Sequence, residues 1–78
     1  MRVPLSMVRH GVVRIININA GRGLRERLIK MGLVEGDVVE VIVNLFPGPV
    51  ILRRNGMRLG LGAGMASKII VQPLEVKR

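Results

Sequence analysis

Seventy-eight residues make one domain, and a chain of this length buries only roughly 60 to 65% of the surface its unfolded form exposes, which leaves no second domain to wall off a cleft. The absence of cysteine excludes a disulfide framework and a thiolate metal site, and with Phe46 the only aromatic residue the core must come from Val, Ile, Leu and Met. Thirteen Lys and Arg against five acids give a net charge of +8, which suits an anionic partner such as nucleic acid, a membrane headgroup layer or an acidic protein surface, and equally suits simple solubility.

No apolar run approaches the length of a membrane span and no signal-peptide pattern opens the chain, so a cytoplasmic location is expected. Pro4 forbids a regular helix before it. Leu5, Met7 and Val8 are expected to lie over one end of the core, with Ser6 capping a single helical turn that ends at Gly11. His10, the lone histidine, lacks the partners of a metal site and reads as a surface or turn residue. Val12 to Ile18 is the first expected strand; its apolar residues do not alternate cleanly, as suits a strongly curved strand touched from both sides.

The stretch Gly21 to Asp37, GRGLRERLIKMGLVEGD, holds the one substantial helix. Leu24, Leu28 and Met31 fall on one narrow face at about 100° per residue, with Ile29 off to one side. Gly32 supplies the stop, Leu33 folds back on the last helical turn, and Val34-Glu35-Gly36-Asp37 makes a β-turn into the next strand. In that strand, Val38 to Val43, the spacing directs Val39, Val41 and Val43 inward. Asn44 to Pro49 is a loop, with Phe46 read as its hydrophobic anchor in preference to an exposed contact residue.

Asn55-Gly56 predicts a two-residue hairpin between Val50–Arg54 and Met57–Leu61, and the loop length fixes the register. Val50, Leu52, Leu59 and Leu61 then face the core, while Arg53 and Arg58 project outward side by side. Like charges set opposite one another cost stability unless a partner compensates them, which makes this pair a candidate binding surface unless Glu35, Glu40 or solvent screens it. Gly60-Leu-Gly-Ala-Gly64 lacks the βαβ context of a dinucleotide site and the Gly-Lys-Ser/Thr order of a phosphate loop; one helical turn over Gly64 to Ser67 is expected instead. Ile69 to Val71 is the closing strand, and residues 72–78 read as a loose basic tail.

The acids are scattered and His10 has no evident partner, so no catalytic pair assembles; no enzyme activity, cofactor, metal or small-molecule substrate is expected. With at most Phe46 to stack on, single-strand recognition by a sheet face is disfavoured.

Two segments, LRERLIKMGLVEGDVVEVI and GPVILRRNGMRLGLGAGMASKIIV, resemble the FeoA family, the small cytoplasmic component of bacterial ferrous iron transport. The resemblance runs from about Pro4 to Val71. It implies an all-β fold with short helices: a small SH3-like β-barrel with one α-helix inserted between the first two strands, as a single domain over 1–78 with its core at about 4–71. It also implies an accessory role beside FeoB, the membrane iron permease with a cytoplasmic GTPase domain, and recruitment to the inner face of the membrane by that partner. Leu24, Arg25 and Met31 on the helix, with Arg53 and Arg58 on the hairpin, are the expected partner-binding residues, although the core has an equal claim on Leu24 and Met31. The rival reading is a basic SH3-like module that binds nucleic acid or the ribosome. Homo-oligomerisation is compatible with either.

Overall fold

The computed structural model describes residues 1–75, and they form a mostly-β fold. The strands are β1 (Val3–Pro4), β2 (Gly11–Ile18), β3 (Val38–Asn44), β4 (Val50–Arg54), β5 (Met57–Leu61) and β6 (Ile69–Pro73). The helices are α1 (Arg22–Lys30), between β2 and β3, which are the first two expected strands now preceded by the short β1, and the one-turn α2 (Ala63–Ala66), before β6. The strands make one antiparallel sheet in the order β1-β6-β2-β3-β4-β5. The sheet does not close into the expected barrel, and β1 and β5 are its two edges.

Leu5, Ile15, Leu28, Leu33, Leu52, Leu61 and Ile69 are fully buried and form the centre of the core. The β4–β5 hairpin has the register its two-residue loop dictates, from Val50 opposite Leu61 to Arg54 opposite Met57. Asn55 and Gly56 both take positive φ, 50° and 79°, as a tight turn matched to the strand twist requires.

Two bulges reset the inward pattern. In β2, Ile16 is the extra residue between Ile15, opposite Val71, and Asn17, opposite Ile70. Val13, Ile15 and Ile18 therefore reach the core, which is why the run does not alternate in sequence. In β3, Ile42 is the extra residue, and the strand changes face after Val41. The expected inward position of Val43 is thereby corrected: Val39 and Val41 are buried, Val43 is exposed, and Asn44 takes the place opposite buried Val50.

A polar residue at that position needs partners. Asn44 Nδ2 donates to the carbonyls of Ser6 (2.8 Å) and Val8 (2.7 Å), and its Oδ1 accepts the Phe46 N–H (2.8 Å). One side chain thus ties the N-terminal turn to the β3–β4 loop. Asn44→Ala is expected to lower stability by about 2 kcal/mol in urea unfolding, since two carbonyls and one amide lose a bond together. Asn44→Asp is expected to cost at least as much, because a carboxylate oxygen then faces two carbonyl oxygens.

Four further expectations change. The turn at Leu5–Met7 is a 3-10 helix entered from Pro4 and ending at Val8, with Ser6 buried inside it and not capping it. Leu5 and Val8 cover the core as expected, but Met7 turns outward and is exposed. Phe46 is 64% exposed and does not anchor its loop, because Asn44 performs that task from the strand end. The C-terminal segment is bound further than expected: Gln72 and Pro73 pair with Arg14 and Val13, and the Leu74 N–H donates to the Val12 carbonyl at 2.9 Å. Glu75 is exposed and belongs to no element, and the rest of the expected tail, 76–78, lies outside the described residues.

A candidate docking surface at the helix end

Nine residues are too few for a helix to hold itself together in water, so α1 depends on its packing and its ends. Leu28 is completely buried, while Leu24 and Met31 are partly buried against the core. At the C-terminus Gly32 adopts φ 83°, the Leu33 N–H donates to the Leu28 carbonyl and the Gly32 N–H to the Ile29 carbonyl, both at 2.8 Å. This is the two-bond Schellman stop that glycine favours. Leu33 then folds back into the core and is fully buried.

The turn that follows is fastened on both sides. Asp37 Oδ2 accepts the Val34 N–H (2.9 Å), the Gly36 N–H donates to the Ile15 carbonyl (2.7 Å), and the Ile15 N–H donates to the Asp37 carbonyl (2.8 Å). Arg54, at the tip of the β4–β5 hairpin, lies over Gly32 and pairs with Asp37 at 3.5 Å. Helix end, turn and hairpin tip are therefore one assembly.

Arg25 and Glu35 close the end of β2. Arg25 Nη1 donates to the Ile18 carbonyl (2.9 Å), Glu35 Oε2 accepts the Ile18 N–H (3.0 Å), and Arg25 Nη2 lies 3.2 Å from the same carboxylate oxygen. Both side chains are about two-fifths exposed, so the ion pair alone contributes under about 1 kcal/mol. Satisfying both backbone groups of Ile18 is the larger service. Arg25, expected to meet a partner, is in this structure first a clasp between α1, β2 and the turn.

Ile18, Arg25, Ile29, Val34 and Glu35 line a shallow pocket of about 160 Å³ over this clasp. Ile29 (57% exposed) and Val34 (41%) form its apolar rim. The helix stripe had pointed to Leu24 and Met31, but the structure sets those two against the core and presents Ile29 and Val34 instead. The signal was present as an apolar residue off the buried stripe of a short helix, followed by a second one in the turn.

The five expected residues do not gather into one cluster. Leu24 and Arg25 belong to the first turn of α1 and Met31 caps its last, whereas Arg53 and Arg58 lie opposite each other on the outer face of β4–β5. Glu40 faces Arg53 from β3 and pairs with it at 3.4 Å, which supplies the compensation that two neighbouring arginines need. Arg58 is left exposed. Among the described residues no group of His, Cys, Asp and Glu is placed to hold a metal ion, and no helix is long and apolar enough to cross a membrane.

The FeoA domain model matches residues 3–73, from the first strand to the last. The chain belongs to the FeoA family. A relative from Methanocaldococcus jannaschii, named as a candidate Fe(2+) transport protein A, is 38% identical over 73 residues that make up 92% of this chain and 88% of its own. The crystal structure of an iron uptake regulatory protein, FeoA, superposes with a TM-score of 0.84 at 35% identity, covering 95% of this chain and 99% of that one. The manganese regulator SloR contains the same fold at a TM-score of 0.83 and 20% identity, over 92% of this chain and 34% of its own. The FeoA resemblance and its SH3-like architecture are thus borne out, and the architecture also occurs as one part of a larger chain.

Proposed function

We propose that this FeoA-family protein is an accessory component of ferrous iron transport. It acts by binding the cytoplasmic, GTPase-containing part of a FeoB-type permease and carries out no chemistry of its own. The family match across 3–73 carries the pathway assignment, together with the iron-transport names of its relatives. The docking face is the pocket between α1 and the turn after it, where Ile29 and Val34 offer an apolar rim around the Arg25–Glu35 clasp, while Leu24 and Met31 fasten α1 to the core. Arg58 contributes charge at the periphery.

The nucleic-acid reading, which rests on the +8 charge and the Arg53/Arg58 pair, loses ground because Glu40 balances Arg53 and leaves Arg58 alone of that pair. The test is direct binding between this protein and the purified cytoplasmic domain of the permease, in its GDP-bound and GTP-analogue-bound states, by calorimetry. Binding to at least one state is expected; no heat in either would overturn the partner assignment.

A further inference from the structure

The end of the sheet away from the helix carries a second, chemically different surface. The turn at 34–37 enters β3 and the loop at 45–49 leaves it, so the strand's seven residues separate the two ends by about 20 Å. The far end presents the chain's only aromatic residue, Phe46 (64% exposed), with Leu45 (56%) next to it. Met7 (68% exposed) joins Phe46 in the wall of a groove whose other members include Arg9 and His10.

This exposure is built in. Asn44 holds the Phe46 N–H, the Leu45 N–H donates to the Pro49 carbonyl (3.0 Å), the Gly48 N–H donates to the Leu45 carbonyl (2.6 Å), and two prolines restrict the rest of the loop. A loop held in this way presents its apolar side chains with little further ordering to be done on binding. Charge selects the partner. Among the described residues no Asp or Glu lines the groove, Arg9 stands exposed in it, and the whole chain carries +8. Glu40, which lines the adjoining groove beside His10, is already held by Arg53.

We infer that this end docks directly on an anionic lipid bilayer, with Phe46, Leu45 and Met7 entering the headgroup and acyl boundary and Arg9 contacting lipid phosphates. Apolar side chains at a fixed tip with a cation beside them match a surface that is apolar below and negative above. The inference is independent of the permease, since it concerns the opposite end of the molecule and needs no protein partner. With both ends occupied, the helix end is held facing away from the lipid.

The test is co-sedimentation of the full chain with sucrose-loaded vesicles of phosphatidylcholine alone or with 30 mol% phosphatidylglycerol. Binding to the anionic vesicles only is expected, weakening as salt is raised. Phe46→Ser and Met7→Ser are each expected to reduce partition about fivefold and Arg9→Gln by a similar factor, with unchanged melting by circular dichroism, while Ile29→Ser leaves partition unaltered. Phe46→Trp adds a lone fluorophore whose emission moves to shorter wavelength on anionic vesicles if the loop enters the bilayer. Equal binding by all variants, with no emission shift, overturns the inference by showing attraction spread over the net charge. Failure to bind at low salt overturns it also, as does a Phe46-dependent dimer on gel filtration whose formation prevents vesicle binding, since the occupant is then a second copy.

Discussion

Leu28→Ala is expected to remove about 3 kcal/mol of stability, the typical cost of emptying a fully buried leucine site. For a chain of this size the total is on the order of 4 to 12 kcal/mol, so one substitution takes a quarter or more of it. The melting temperature should fall by about 12 to 24 °C, measured by circular dichroism or calorimetry. The same side chain anchors α1, which is too short to persist alone, and α1 carries Arg25. Undocking the helix therefore withdraws the donor from the Ile18 carbonyl and loosens the Glu35 carboxylate that accepts the Ile18 N–H. Hydrogen exchange should show this order: Ile18 and the α1 amides exchange faster in Leu28→Ala even where the hairpin amides of β4 and β5 stay protected. If those amides speed up equally, α1 is coupled to the whole sheet and its anchoring is not local.

How much of this was legible in the sequence depended on whether a signal was local. The Asn55-Gly56 loop fixes five cross-strand pairs because a two-residue turn leaves no freedom of register, and all five appear in the structure. Gly32 marks the helix stop because the left-handed position after Met31 suits glycine above other residues, and Leu33 follows it into the core. The misreadings have a different origin. Ile16 and Ile42 look like ordinary strand residues, and nothing local says that each is a bulge set by its neighbours across the sheet. One inserted residue turns Val43 outward and puts Asn44 in its place, and Asn44 then anchors the loop that Phe46 was expected to anchor. A single unrecognised bulge accounts for both errors. At the candidate docking surface, periodicity identified the helix face that packs, and a face that packs has little left to offer a partner. Ile29 lies outside the stripe and was passed over for the reason that makes it available.

Ile29→Ser combined with Val34→Ser is expected to weaken binding to the cytoplasmic domain of the permease about 30-fold while lowering stability by about 1 to 2 kcal/mol, the worth of the packed part of the two side chains. Ile29 is 57% exposed and Val34 41%, so the fold loses only the part of each side chain that is packed. An interface that covered them would lose about 1 kcal/mol of apolar burial from each, and together these give a factor of that order in affinity. Leu24→Ala and Met31→Ala must behave differently, because both are partly buried against the core: stability falls, and any loss of binding follows the loss of folded helix. Arg58→Ala tests the periphery, where truncating an exposed charge alters the association rate and its salt dependence more than the lifetime of the complex. The decisive comparison sets the Ile29/Val34 double variant against Leu24→Ala at a temperature where both are fully folded. Loss of binding only in the double variant places the contact on the exposed rim beside the Arg25–Glu35 clasp. Loss only in Leu24→Ala moves the contact to the helix's inner edge, and a partner would then have to displace part of the core to reach it.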